Sequence, residues 1–278
     1  MRVFGYLRFS YAGRSDARAS RTGDPVEVVA ETLFEPQRME RRFFLFENLC
    51  LPSLKAQTNQ NFRMAVLASE SMPQIYKDRL QEITASVPQI EILYSSAEHV
   101  THPFNEWMEK AVAGNSEVTA HFRLDDDDAL GKSMIGRLEA ATALAPMVRV
   151  VSWSRGLYLT HKDETPYLLN EHFPFIGLGM AFLNQPGQIL NPYQCKHVQV
   201  SSVYPAFVDP GPTAWIHSAH GASDTRARQD KKFRTILAAN PEHDSDAART
   251  RIRKQVKAEF PSFTPDSLKD IIRRASEI

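Results

Sequence analysis

The first 155 residues alternate between short apolar runs and longer segments with helical spacing. Three of the runs are rich in β-branched and aromatic residues, which favours strands: RVFGYLRFS, FRMAVLAS and VTAHFRL. Between such runs, apolar residues recur every three or four positions, as they do at Tyr76, Leu80, Ile83 and Val87. That spacing is typical of amphipathic helices. Regular alternation of strands and helices predicts an α/β domain with a mostly parallel central sheet.

The pattern changes after Arg155, where proline, glycine and aromatic residues become frequent. Short strands and long loops are expected there. From Ser223 to Ile278 the chain is polar, and Thr264–Pro265 begins a clear helix. We therefore predict a single domain over residues 1–222, followed by a helical C-terminal extension over residues 223–278.

Composition and charge exclude several functions for the 278-residue chain. Lys+Arg and Asp+Glu both number 33, so nothing global indicates a nucleic-acid partner. The two cysteines do not make a disulfide framework. The N-terminus does not resemble a secretory signal, and there is no apolar run of about 18 residues, the length a membrane helix needs. The expected location is the cytoplasm.

Four consecutive aspartates, Asp125 to Asp128, follow the predicted strand VTAHFRL. In open α/β sheets, ligands bind beyond the carboxyl ends of the strands. Strand alternation would place Asp125 and Asp127 on one side and Asp126 and Asp128 on the other. Two converging carboxylates favour a cation between them, and Mg²⁺ or Mn²⁺ accept such oxygen ligands.

Three interpretations of the acidic run stay open on these grounds. It could be a solvated turn. It could belong to a phosphatase of the haloacid dehalogenase type, in which the first Asp attacks phosphorus, although Ala129 stands where Thr or Val is usual. It could also be the metal-binding motif of a glycosyltransferase.

A family resemblance favours the third interpretation. LDDDDAL resembles the Leu-Asp-x-Asp-Asp motif of family 2-like glycosyltransferases with a GT-A fold. Four pieces in order, RFS, LPSLKAQT, RLDDDDAL and GLGMAFL, are similar to the bacterial family described as putative rhamnosyltransferases. The resemblance covers roughly residues 1–222.

The resemblance implies a GT-A-like domain with a nucleotide-sugar-binding half, residues 1–130, and an acceptor half, residues 131–222. It implies a nucleotide-sugar donor, a saccharide or lipid-linked acceptor, Mn²⁺ or Mg²⁺, and a role in cell-surface polysaccharide synthesis. Rhamnose as the transferred sugar rests on the resemblance alone. Asp127 would carry the metal, which Asp125 can share while facing the donor. Asp128 would orient the loop or touch the donor sugar, and Asp126 should point away.

Further site residues are expected at the same edge of the sheet. Downstream histidines often complete such metal sites, which makes His217 and His220 candidate ligands; Gly221 favours His220 because it suits a loop near a ligand. Arg8, Ser10 and Ser69 end predicted strands and are expected to bind the donor. Arg123 would either pair with a phosphate or neutralise the carboxylates.

The catalytic base is the open question for an inverting transferase, which needs a carboxylate or histidine to accept the proton of the acceptor hydroxyl. Family 2 enzymes use an Asp in a Glu-Asp segment, and this sequence has no such pair in the expected region. His197 and Asp209 are the candidates. The missing pair keeps one alternative open, a non-catalytic protein that binds nucleotide sugars or cations.

The segment ARTRIRKQVKAEF sets basic residues around an apolar line of Ala248, Ile252, Val256 and Phe260. It predicts either a helix packed on the domain with a solvated face, or a helix resting on an anionic membrane at its inner face.

Overall fold

The computed structural model describes residues 1–13, 25–220 and 226–278, with side chains from residue 230 onward in the last range. The polar composition from Gly13 to Asp24 predicts a loop, and residues 14–24 of it lie outside the described residues. The described chain forms two sheets flanked by helices.

The larger sheet has seven strands in the order β10-β6-β9-β4-β1-β2-β3. Their bounds are β1 Val3–Arg8, β2 Phe62–Ser69, β3 Ile90–Ser95, β4 Thr119–Asp125, β6 Val150–Trp153, β9 Ala181–Asn184 and β10 Ala206–Asp209. Only β9 runs antiparallel to its neighbours in this sheet. The predicted α/β domain with a mostly parallel central sheet is confirmed.

Helices cover both faces of this sheet, so its central strands β1, β2 and β4 are largely buried on both sides. They are α1 Val26–Leu33, α2 Pro36–Leu45, α3 Leu51–Lys55, α4 Gln74–Thr84, α5 Thr101–Ala111, α6 Met134–Ala141 and the short α7 Val200–Val203. A π-helical turn, Phe46–Cys50, joins α2 to α3. Pro52, in a segment with helical spacing, predicts a kink or a break. The structure has a π turn before the proline, and the helix continues through it as α3.

The smaller sheet has four strands in the order β5-β11-β7-β8: β5 Ala129–Leu130, β11 Trp215–Ala219, β7 Arg155–Lys162 and β8 Thr165–His172. Three helices follow, α8 Arg226–Ala238, α9 Asp246–Glu259 and α10 Pro265–Glu277. Thr264 caps α10 in a reciprocal capping box with Ser267, as the Thr-Pro start predicts. Ile252, Leu268 and Ile272 pack in one cluster with Leu157 and Ile216 of the sheet.

The apolar line of α9 is buried in that cluster, with Ile252 at 7% and Val256 at 1% exposure. The hypothesis that this line rests on a membrane is wrong, because packing on the smaller sheet covers it. Contact through the basic residues alone stays a prediction. Among the described residues, no helix is both long and apolar enough to cross a bilayer.

Candidate active site

The acidic run begins where β4, a central strand of the larger sheet, ends. β4 stops at Asp125, and the chain turns at once, with the Asp128 N–H donating to the Asp125 carbonyl at 3.3 Å. The pairing expected from strand alternation is wrong, because the alternation ends with the strand. Asp125, Asp127 and Asp128 line one cavity, whereas Asp126 does not.

This cavity has a volume of about 790 Å³. The acidic turn forms one wall. The smaller sheet contributes Tyr158, Glu171 and His217, helix α8 contributes Lys232, and a loop contributes His197. A cavity of this size can hold a nucleotide-sized ligand.

Asp126 points away from the cavity, into the protein, where it is fully buried. Arg42 of α2 donates to both of its carboxylate oxygens, from Nε to Oδ2 at 2.8 Å and from Nη2 to Oδ1. Solvation, the alternative considered for Asp126, is therefore wrong. Burial raises the pKa of Asp126 although Arg42 opposes it. Asp126 and Asp127 outweigh burial at Arg42 and raise the pKa of its guanidinium.

Asp127 is held as a carboxylate. The Nε2 atom of His220, at the end of β11, lies 3.0 Å from its Oδ2, and Arg42 Nη1 lies 3.6 Å from the same oxygen. Burial would raise the pKa of Asp127, but Arg42 and His220 together lower it well below its usual range. The turn thus brings His220, one of the two predicted metal ligands, to Asp127.

The other two cavity-facing carboxylates have different partners. Arg123 Nη2 donates to Asp125 at 3.0 Å. Burial would raise the pKa of Asp125, but Arg123 more than offsets it and the net shift is downward. Asp128 is 4% exposed and accepts the Ser218 N–H at 2.7 Å. Burial, with Asp127 and Asp125 nearby, raises the pKa of Asp128 well above its ordinary value. Solvation is wrong for Asp128 too.

Of the two roles considered for Arg123, the structure shows the neutralising one. Its guanidinium lies over the Tyr193 ring at 4.6 Å in addition to pairing with Asp125. It also lines the cavity, so a phosphate there would meet it.

The segment LPSLKAQT forms hydrogen bonds with the chain that follows the acidic turn. The Leu130 N–H donates to Ser53 Oγ at 3.2 Å, and Gln57 Nε2 donates to the Gly131 carbonyl at 2.9 Å. Gln57 Oε1 also accepts the Ile135 N–H at 3.1 Å. Two of the pieces that carry the family resemblance are thus parts of one hydrogen-bonded unit.

His217, the other predicted metal ligand, is bound elsewhere. Its Nδ1 lies 3.0 Å from Glu171 Oε2 and 2.8 Å from Lys232 Nζ. Lys232 also pairs with Glu171 Oε1 at 2.8 Å. Burial would raise the pKa of Glu171, but His217 and Lys232 lower it overall, so the carboxylate is ionised. The structure places His217 in this group rather than beside Asp127.

Three predicted donor-binding residues lie near the motif without lining the cavity. Arg8 is paired in register with Asp125 across β1 and β4. Ser10 accepts a hydrogen bond from Arg38 at 3.2 Å, and Ser69 accepts the Ala12 N–H at 2.7 Å. Both serines are buried and stabilise the end of β1. The sheet edge brings all three together, as expected for strands that end at one edge.

The two predicted bases are separated by the fold. His197 lines the cavity and its Nδ1 donates to the Phe175 carbonyl at 2.7 Å; burial lowers its pKa. Asp209 ends β10, the edge strand of the larger sheet, and does not line the cavity. Its Oδ1 accepts the Gly211 N–H at 2.7 Å. Asp209 is therefore not brought together with the acidic motif.

Within the described ranges, no three His, Cys, Asp or Glu side chains are arranged to enclose a metal ion. The acidic turn nevertheless suits Mg²⁺ or Mn²⁺, because such ions are commonly held by one or two carboxylates together with substrate phosphates and water. Asp125 and Asp127 are the ionised carboxylates of the acidic turn that face the cavity.

Arg42 and Glu171 were not predicted as site residues, although both leave a signal in the sequence. Arg42 lies three residues after Met39 and four before Phe46, so it interrupts the apolar face of its helix. Glu171 lies two residues after the buried Leu169 in β8, so strand alternation puts both side chains on the same face of the sheet. A charged side chain at a buried position of a periodic pattern needs a partner.

Solved structures give distant likenesses. S. aureus TarS is 11% identical with a TM-score of 0.43, over all of this chain and 55% of that one, so the chain spans about half the length of TarS. A mannosyltransferase from Pyrobaculum calidifontis, solved with GDP-Man and Mn²⁺, is 12% identical with a TM-score of 0.42, over 99% of this chain and 68% of that one. Likenesses this distant carry no argument about activity. No curated protein matches the chain significantly.

The sequence itself matches a protein family. The family described as "Putative rhamnosyl transferase" matches residues 2–232, which include the acidic turn and every described cavity residue named above. The match covers more than half of the chain, and it agrees with the resemblance found in RFS, LPSLKAQT, RLDDDDAL and GLGMAFL. The chain therefore belongs to the rhamnosyl transferase family of glycosyltransferases.

Proposed function

We propose that the protein transfers a sugar, rhamnose by its family, from a nucleoside diphosphate donor to a hydroxyl group of a saccharide or lipid-linked acceptor. One observation carries the proposal. Three carboxylates at the carboxyl end of β4 face one cavity of about 790 Å³, in a chain that matches a rhamnosyl transferase family.

Asp127 and Asp125 are the residues that would hold Mn²⁺ or Mg²⁺ in this site. When bound, such an ion would stabilise the negative charge that grows on the leaving diphosphate. The chain's own residues would do the rest. Arg123 faces the cavity and can pair with a phosphate oxygen, and Asp128, anchored by Ser218, can accept a hydrogen bond from a sugar hydroxyl.

The test is nucleoside diphosphate release from a panel of donors with Mn²⁺, measured with and without candidate acceptors. Asp127→Asn keeps the side-chain size and removes the charge. We expect it to weaken Mn²⁺-dependent donor binding at least about tenfold, because losing even a residue that only supports a metal ligand costs about 10–100-fold in metal affinity. Asp163→Asn, in the exposed turn between β7 and β8, is the matched control.

Two outcomes would contradict the proposal. Normal donor and metal binding by Asp127→Asn would remove the role of the acidic motif. Donor binding without turnover on the whole panel would favour the remaining alternative, a non-catalytic protein that binds nucleotide sugars.

An acceptor linked to a lipid would bring the protein to the inner face of a membrane, and the basic side of α9 could make that contact through charge alone. Arg251, Arg253 and Lys254 are exposed on it. We expect sedimentation with anionic liposomes to be weak, to fall with added salt and to be lost when these three residues are changed to Gln. Binding that survives the three changes would exclude this contact.

A further inference from the structure

One face of the smaller sheet is available to the cavity. Leu157, Leu168 and Ile216 point to the other face, where α9 and α10 cover them. His217 of β11 is paired in register with Tyr158 of β7, and both line the cavity. The backbone therefore places His217 in the cavity that the acidic turn also lines.

The strand that carries His217 is tied to the motif. Ser218, the next residue, donates its N–H to Asp128 at 2.7 Å. Tyr158 also restricts the movement of the imidazole, since the two rings meet edge-on with centroids 5.4 Å apart. A group at this position has a defined distance from a donor held by the acidic turn.

Glu171 orients the imidazole of His217 through its Nδ1 atom. Both of its oxygens are engaged, Oε2 with His217 Nδ1 at 3.0 Å and Oε1 with Lys232 Nζ at 2.8 Å, and the side chain is 4% exposed. A carboxylate with both oxygens occupied is poorly placed to accept a proton from a substrate. It can instead fix the histidine tautomer, as carboxylates do in histidine-based catalytic sites.

The tautomer follows from the hydrogen-bond network. His217 Nδ1 can form one hydrogen bond but has two neighbours. One is Glu171, and the other is Lys232, whose Nζ lies 2.8 Å from Nδ1. Lys232 has Oε1 as its acceptor, so the assignment that satisfies all three groups is Lys232 to Oε1 and Nδ1–H to Oε2. Nε2 then carries the lone pair.

We propose that His217, positioned by Glu171, is the general base that accepts the proton of the acceptor hydroxyl; this assignment rests on the proposed function. The acceptor oxygen forms a bond to the anomeric carbon of the sugar, and its proton moves to His217 Nε2. The bond from the anomeric carbon to the phosphate oxygen breaks, and its electron pair leaves with the nucleoside diphosphate.

His197 is the rival within the same cavity. Its Nδ1 donates to the Phe175 carbonyl, and no carboxylate among the described residues forms an ion pair with it. Burial lowers its pKa, the Phe175 carbonyl and Asp125 partly oppose this, and Arg123 and Lys232 add to the lowering. His197 therefore lacks the orienting carboxylate that Glu171 supplies to His217.

The experiment uses the full chain with Mn²⁺ and a donor that the unchanged protein turns over. His217→Gln is expected to keep donor affinity within about twofold and to lower acceptor-dependent kcat by about 10²-fold or more, the usual contribution of a general base. Glu171→Gln should lower the same kcat by less, because it only misorients the ring. His102, an exposed residue of α5, provides the matched control as His102→Gln.

A chemical rescue separates a base from a structural residue. In His217→Ala, millimolar imidazole should restore part of the acceptor-dependent rate, since the free ring can enter through the cavity. A rate in His217→Gln within threefold of the unchanged protein, or a loss of rate in His197→Gln alone, would overturn the assignment of the base and leave the proposed function intact. If the unchanged protein turns over no donor, the proposed function itself fails, and the assignment fails with it.

Discussion

Arg42 and Asp126 form a two-point ion pair beneath the acidic turn. The guanidinium comes from α2 and meets both oxygens of a fully buried carboxylate. Arg42 also reaches Asp127, which faces the cavity, at 3.6 Å. The only aspartate of the four that does not line the cavity therefore anchors the three that do.

Arg42→Met should be strongly destabilising. It leaves the Asp126 carboxylate buried without its partner, and breaking one side of a buried ion pair costs about 3–5 kcal/mol. The measurement is the free energy of unfolding from urea titration at neutral pH. In the double variant Arg42→Met/Asp126→Leu the loss should be clearly smaller, because no uncompensated charge remains.

The control for that prediction is an exposed arginine. Arg273 is 44% exposed and pairs with Asp270 and Glu277 on the surface of α10. Arg273→Met should cost less than about 1 kcal/mol, as exposed pairs usually do. Equal losses from the two variants would contradict the anchoring role of Arg42.

Gly156 lies where the smaller sheet packs most closely. A Cβ added there would meet the ring of Trp215 at 2.0 Å from Cε3. Gly156→Ala should therefore cost about 1–3 kcal/mol or more from overpacking. It should also lower acceptor-dependent turnover, because the displaced Trp215 is two residues from His217.

Gly136 of α6 provides the matched glycine. The nearest atom to its added Cβ is Asn59 Cβ at 3.9 Å, an ordinary contact. Gly136→Ala should be neutral or stabilising by up to about 1 kcal/mol, since alanine favours the helix. Thermal denaturation of the two variants side by side tests the pair, and a Gly156→Ala protein as stable as Gly136→Ala would show that the sheet can absorb the methyl group.

His121 should make the fold sensitive to acid. It is buried on β4, with Nδ1 at 2.7 Å from the Tyr6 hydroxyl and Nε2 at 2.7 Å from Thr119 Oγ1. Burial lowers its pKa from 6.5 to about 3. Between these two pKa values the imidazole is protonated in the unfolded state and neutral in the folded state. The contribution of His121 to the free energy of unfolding is therefore fully present above pH 6.5 and is lost as the pH falls towards 3.

From pH 7 to pH 4 this one group should remove about 3 kcal/mol from the free energy of unfolding. His121→Gln should flatten the pH dependence over that interval, even though it lowers stability at pH 7. Urea titrations at several pH values measure the slope. The exposed His99 serves as control, and a slope unchanged by His121→Gln but altered by His99→Gln would refute the assignment.

Local sequence signals predicted much of the larger sheet. FRMAVLAS is strand β2, Phe62–Ser69, and VTAHFRL runs into β4, Thr119–Asp125. The Thr-Pro start of α10 was correct as well. These elements follow from side-chain periodicity and from capping, which act over a few neighbouring residues.

The candidate site was only partly predictable, because it depends on contacts between distant segments. The acidic run itself was visible, but its split into pairs was wrong since nothing local shows where β4 ends. Arg42 and Asp126 are 84 residues apart in sequence. His217 was expected beside the metal, but strand β8 and helix α8 place Glu171 and Lys232 around it instead.

The sequence by itself determined the α/β class, the position of the carboxylates at the end of a central strand, and the family. These depend on periodicity, strand ends and residue order, which the chain carries locally. Only the tertiary structure decided which carboxylate is buried, which histidine meets Asp127 and which meets Glu171. Those choices follow from burial and charge pairing across the fold, since a buried charge is stable only where another segment supplies its partner.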